Sequence, residues 1–132
     1  MLTRDQKYAT LVYDQVNAIK SEEKEEAKYK PYGAMAHKLP ILIRSAGLVQ
    51  ALEFVNSRSN KPVQRRLLED LAAAIGQGSK EAFLNHVRSA PTGEYMRLTQ
   101  QAMAALLWYK RFAQSILGVD ASEANEESEV SS

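Results

Sequence analysis

From Thr92 to Gly118 the chain reads TGEYMRLTQQAMAALLWYKRFAQSILG, and this stretch decides the fold. Tyr95, Leu98, Ala102, Met103, Leu106, Tyr109, Ala113, Ile116 and Leu117 recur at three- and four-residue steps. That spacing gathers apolar side chains along one side of an α-helix, whereas a half-buried strand would alternate. Thr92 is the expected N-cap and Gly118 the expected stop, which places a sixth and longest helix at roughly 93–117. Working back toward the N-terminus, five more stretches show the same period.

A first helix over roughly 3–28 starts at a capping box, Thr3 with Gln6, and carries Tyr8, Val12, Val16 and Ile19. Its second half, Lys20 to Lys30, alternates Glu and Lys and reads as a solvated helix face. Pro31 suits the first turn of a second helix built on Met35, Ala36, Leu39, Leu42 and Ile43. Gly47 ends it, and Pro40 inside it predicts a kink. Leu48, Ala51, Leu52 and Val55 make a third. A fourth runs from Pro62 to Ile75 on Val63, Leu67, Leu68, Leu71 and Ala72, and Gly76 and Gly78 close it. A fifth is capped by Ser79, buries Phe83, Leu84 and Val87, and stops at Pro91. No strand pattern competes with these. The expected fold class is all-α, a compact bundle of about six helices in a single domain over residues 1–117.

The 132 residues contain 45% hydrophobic side chains and no cysteine, which fits one core and excludes disulfides, thiolate metal sites and a catalytic thiol. No apolar run approaches the roughly 18 residues of a membrane span, and the segment after Met1 lacks the apolar centre of a signal peptide. The expected location is therefore cytoplasmic, with no membrane partner. The formal net charge of +1 is unevenly distributed. Residues 118–132 hold Asp120, Glu123, Glu126, Glu127 and Glu129 and no base; residues 1–117 hold 17 bases against 11 acids, a formal +6. The body is basic, while the tail is acidic and too poor in apolar residues to offset its ordering entropy, so it is expected to be disordered.

A search for catalytic chemistry finds little. His37 and His86 stand on different helices without a carboxylate at metal-ligand spacing, and each reads as a surface or core-edge histidine. Gly76-Gln77-Gly78-Ser79-Lys80 has the residue types of a phosphate loop but neither its order nor a preceding strand, so it reads as a helix stop followed by an N-cap. Glu69 and Asp70 are adjacent, about 100° apart on a helix, and read as solvated charges. No Gly-x-Ser-x-Gly elbow is present. The expectation is a non-enzymatic chain with no metal and no cofactor. Phosphate binding, by contrast, needs only convergent bases. These fall at Lys28, Lys30, Lys38 and Arg44, at Arg58, Lys61, Arg65 and Arg66, and at Arg97, Lys110 and Arg111. On the sixth helix, Arg97, Gln101, Ala104, Trp108, Arg111 and Ser115 form a stripe away from the apolar one. Trp108 there either packs on a neighbouring helix or, with Arg97, is a candidate contact to another subunit or a nucleotide.

Two segments resemble a known family. Tyr32-Gly33-Ala34-Met35-Ala36-His37-Lys38-Leu39-Pro40-Ile41-Leu42-Ile43-Arg44-Ser45-Ala46-Gly47-Leu48-Val49-Gln50-Ala51-Leu52 is one. Tyr95-Met96-Arg97-Leu98-Thr99, followed by Trp108-Tyr109-Lys110-Arg111-Phe112-Ala113, is the other. Their order and their places on the second and sixth helices are similar to those of the small subunit of the type III-B CRISPR effector, the Cmr complex. That resemblance implies a non-catalytic subunit that stacks in several copies beside other Cmr complex subunits, its basic surface facing guide RNA and target RNA in antiviral defence. Lys38, Arg44, Lys110 and Arg111 match basic positions of the motifs and are the implied RNA-binding residues. Such binding would read backbone and shape rather than base identity. The competing reading is a purely structural helical adaptor that binds protein and not RNA.

Overall fold

The computed structural model describes residues 1–58 and 62–122. Among the described residues six helices and no strand are found: α1 (Arg4–Glu22), α2 (Glu26–Ala46), α3 (Leu48–Asn56), α4 (Pro62–Ala74), α5 (Lys80–Ser89) and α6 (Thr92–Ser115). The all-α expectation holds. The central element is α6, which packs chiefly on α2 and α1; α4 packs on α2 and also reaches α1 and α6, α3 packs on α2 and α4, and α5 rests on α3 and α4. Its apolar stripe behaves as the spacing predicts: Leu98, Ala102, Leu106, Tyr109 and Ala113 are buried among Val12, Val16 and Ile19 of α1 and Met35, Leu39 and Ile43 of α2. The chain direction reverses from α2 to α6. Tyr32, near the start of α2, lies beside Tyr109 with ring centroids 6.5 Å apart, and Gly47, just past its end, approaches Tyr95 at the start of α6.

The local signals at several boundaries operate as read. At α1 the Gln6 N–H donates to Thr3 Oγ1 at 3.1 Å and the Thr3 N–H to Gln6 Oε1 at 2.8 Å, a complete capping box. Ser79 accepts from the Ala82 N–H and caps α5. Gly47, at φ +91°, lets α2 stop and α3 start without an intervening loop.

Three boundaries differ from expectation. First, the charged run does not continue α1 to residue 28: Glu23 and Glu25 leave the helical region, and α2 begins at Glu26. Glu and Lys favour helix on propensity, but no apolar residue between Ile19 and Ala27 fixes the run to the core. The half-buried Tyr29 and fully buried Tyr32 set where the second helix lies. Second, Pro31 is inside α2 rather than in its first turn. The amide it lacks would have reached the Ala27 carbonyl, and Ala27 is exposed, so water can satisfy that group. The helix also runs past Pro40 to Ala46. Third, Thr92 is the first helical residue and does not cap α6; Pro91 is the N-cap, its carbonyl accepting from the Tyr95 N–H at 2.8 Å.

The basic body does not end where the sequence changes character. Beyond α6, Gly118 at φ +69° turns the chain and the Val119 N–H donates to the Ala113 carbonyl. Val119 is fully buried against Gly33 of α2, and its carbonyl accepts 2.9 Å from Nε2 of the buried His37. His37 is thus a core histidine holding the start of the tail. Residues 123–132, with most of the acidic segment expected to be disordered, lie outside the described residues, as does the base Lys61.

Candidate nucleic-acid interface

Several bases are engaged inside the bundle or by a neighbouring acid. Arg66 of α4 pairs with Glu22 at the end of α1, which holds the Glu22 carboxyl below the usual range. Arg66 also faces Asp70, which is not the solvated charge expected from sequence: Asp70 is half-buried and its carboxylate accepts the Tyr32 hydroxyl at 2.6 Å. Burial pushes the Asp70 carboxyl above its ordinary value, against the opposing effects of the Tyr32 hydrogen bond and the Arg66 charge. Burial likewise drives the Tyr32 and Tyr109 hydroxyls well up. Gln15 completes this junction: its amide donates to the Asp70 carbonyl at 3.0 Å and its oxygen accepts from the Tyr109 hydroxyl. Four helices meet on one polar network, and Arg66 belongs to it. Lys20 donates to the Ile116 carbonyl at 2.9 Å. Lys30 pairs with Glu26, and Arg88 with Glu53 at 2.6 Å.

The four bases singled out by sequence do not gather at one place. Lys38 lies on the flank of α2 that meets α3, its ammonium 5.0 Å from the centroid of the Phe54 ring. Arg44 is exposed in the last turn of α2, about 120° round the helix from Lys38 and on the same stripe as His37. Lys110 is half-buried on α6, about 160° round from Phe112, whose ring meets Tyr13 of α1 edge-on at 5.5 Å. Lys110 therefore occupies the flank of α6 away from Phe112, and because α2 and α6 run antiparallel, Arg44 and Lys110 lie toward opposite ends of the pair. Arg111 is on the outer surface, its guanidinium 5.9 Å from the Trp108 ring. Arg44, Lys110 and Arg111 have no ion pair among the described residues.

The two interface candidates are placed differently from one another. Arg97 is tied to Glu94, three residues back, and Glu94 also stands 3.4 Å from His86. Trp108 is half-buried, stacked on Phe112 at 5.9 Å with the rings 26° apart, so the Trp108–Phe112–Tyr13 series lines the α1–α6 seam. Its edge away from the core remains open beside Arg111.

A further constellation escaped the sequence reading. Phe54 of α3 is 39% exposed, and Arg58, four residues on, returns its guanidinium to 5.2 Å from the same ring that Lys38 approaches from α2. The Phe54-to-Arg58 spacing of one helical turn was a usable signal, but the approach of Lys38 depends on how α2 packs on α3. Among the described residues no group of three His, Asp or Glu is placed to hold a metal ion, and no helix is long and apolar enough to cross a membrane.

Comparison with known proteins agrees with this architecture. The family model for the CRISPR-associated protein Cas_Cmr5 matches residues 4–116. The chain is 42% identical over 118 residues to the CRISPR system Cmr subunit Cmr5 of Thermus thermophilus, an alignment covering 89% of this chain and 98% of that one. A crystal structure of a CRISPR-associated Cmr5 family protein, also from Thermus thermophilus, superposes with a TM-score of 0.79 at 40% identity, covering 88% of this chain and 98% of the other.

Proposed function

Since the chain belongs to the Cas_Cmr5 family of CRISPR-associated proteins, we propose that it is the non-catalytic small subunit of a type III-B effector, the Cmr complex, and contacts RNA there in antiviral defence. In this reading several copies stack along the complex beside other Cmr subunits. Their basic surfaces face the guide and target RNA backbone. The observation that carries the reading is the near end-to-end match to a relative named as a Cmr subunit: 98% of that relative is covered, by a chain whose described residues form one bundle around a shared core.

The charge arrangement supports the RNA part. Arg44, Lys110 and Arg111 have no ion pair among the described residues, so each can exchange water and counterions for a phosphate without first breaking a salt bridge. Lys38 adds a fourth base on the α3 side. Their spread over more than one face suits a subunit lying along an RNA-bearing assembly better than one closing around a single ligand. Reversing charge at Lys38, Arg44, Lys110 and Arg111 together is expected to weaken target-RNA binding by the assembled complex and to flatten its salt dependence by about 0.7 log units per lost single-strand phosphate contact. Unchanged binding with assembly intact refutes the RNA contact.

A second reading, a structural adaptor without RNA contact, draws on exposed apolar side chains. Ile41 of α2 and Met96 and Leu107 of α6 are each more than half exposed. Met96 and Leu107 share one stripe of α6, being eleven residues apart. In that case Trp108→Ala or Leu107→Asp abolishes co-purification with the other subunits, while the charge reversals leave RNA protection unaltered.

A further inference from the structure

We infer that Phe54 is a positioning residue that holds Lys38 and Arg58 together as a two-cation grip for the phosphates of a single-stranded RNA, an inference that rests on the RNA-contact reading above and adds a site to it. Two long basic side chains from different elements converge on one ring. Lys38 reaches it from α2 at 5.0 Å, and Arg58 from just beyond α3 at 5.2 Å. Long basic side chains of this kind can sample many rotamers, and that latitude must be lost when a phosphate is gripped. The face of an aromatic ring attracts both an ammonium and a guanidinium, so Phe54 removes part of that cost before the ligand arrives.

The backbone holds this arrangement in place. The Ser57 N–H donates to the Glu53 carbonyl at 2.9 Å, the Ser57 hydroxyl to the Phe54 carbonyl at 2.8 Å, and the Arg58 N–H to the Val55 carbonyl at 3.2 Å. The end of α3 is therefore tightly wound, and Arg58 stands one turn after Phe54 on the same side. The adjacent acid, Glu53, is committed to Arg88 at 2.6 Å and would have to leave that partner to reach Arg58. Arg58 has no ion pair among the described residues.

Nucleic acid fits this surface better than an acidic peptide does. A phosphodiester chain offers a charge at every residue, to match two cations gathered at one ring. It also brings bases whose π-faces can lie against the exposed part of the Phe54 ring. The grip carries no hydrogen-bonding pattern directed at base edges, so it would read backbone and not sequence.

The test uses the effector complex reconstituted with the full-length chain, and reads target-RNA binding across a salt series. Phe54→Leu keeps every charge and most of the apolar volume. It is expected to weaken binding roughly three- to fivefold, while Phe54→Tyr binds as the wild type. Lys38→Glu with Arg58→Glu is expected to reduce the slope of log affinity against log salt by about 1.4, the value for two single-strand phosphates. Unchanged binding by Phe54→Leu overturns the positioning role. If Lys38→Glu/Arg58→Glu is silent while Arg44→Glu/Lys110→Glu weakens binding, the grip is wrong and the broader RNA reading stands; if both pairs are silent, both fail. Loss of assembly with Phe54→Leu, the purified chain remaining helical by circular dichroism, assigns the patch to a protein partner and also overturns the grip.

Discussion

Replacing Gly33 by alanine separates local propensity from tertiary packing by the sign of its effect. Gly33 is inside α2, where Ala is favoured over Gly by about 1 kcal/mol, so propensity alone predicts a more stable protein. The structure predicts the reverse. A Cβ at Gly33 would stand 2.9 Å from both Cβ and Cγ2 of Val119, well inside the contact distance of about 3.5–4.0 Å. Val119 would have to leave. It is fully buried, so its displacement forfeits about 1.5–2 kcal/mol of apolar burial. The bond from Val119 to His37 goes with it, leaving the Nε2–H of a buried imidazole without an acceptor, a further 1–2 kcal/mol or so. Set against the propensity gain, Gly33→Ala should destabilise the full chain by about 2 kcal/mol. In a chain ending at Leu117, which lacks Val119, the same substitution should stabilise by about 1 kcal/mol. Urea unfolding followed by far-UV circular dichroism and Trp108 fluorescence measures all four corners of the cycle. A neutral or stabilising Gly33→Ala in the full chain, or the same effect with and without residues 118–132, would refute the Val119 seat on α2.

Two further expectations concern the polar junction. The Asp70 carboxyl is raised in the folded state, so between its ordinary and raised values the folded protein binds more protons than the unfolded one. Its contribution to stability therefore falls as pH rises through that window, and the burial penalty is complete above it. Asp70→Asn can still accept from Tyr32 and should compare more favourably with the wild type at neutral pH than in the acid range; an offset in urea midpoint that is the same at every pH contradicts the cause assigned. Tyr109→Phe strands the Gln15 oxygen and should cost about 1–2 kcal/mol, and Gln15→Leu added to it should recover part of that, because the stranded oxygen is then gone, less what the lost Gln15 bond to the Asp70 carbonyl contributed. A double variant as unstable as the sum of the two singles would show that this hydrogen bond is not the source of the loss.

The sequence alone determined the helical class, the apolar stripe of α6, the capping box and glycine stops, and the concentration of positive charge before Gly118. Each is a local matter: a three- and four-residue spacing, a side chain that caps its own helix, a backbone angle that glycine tolerates, or a sum of charges. The resemblance of residues 32–52 and 95–113 to the Cmr small subunit was also legible there, and the match over residues 4–116 agrees with it. Contacts between residues far apart in the chain were not legible. Asp70 looked like a solvated acid until α2 and α4 brought Tyr32 to it, and His37 looked like a core-edge residue until the chain returned after α6 to place Val119 against it. The break at residues 23–25 was decided by where Tyr29 and Tyr32 meet the core, against the helix propensity of the run itself. The charge sum likewise could not say which bases were committed. Arg66 and Arg88 are engaged across helices, while Lys38 and Arg58 share one ring, because the packing of α1 on α4, of α3 on α5 and of α2 on α3 sets those distances. Periodicity fixes which face of a helix is apolar; only the assembled bundle fixes what the other side chains meet.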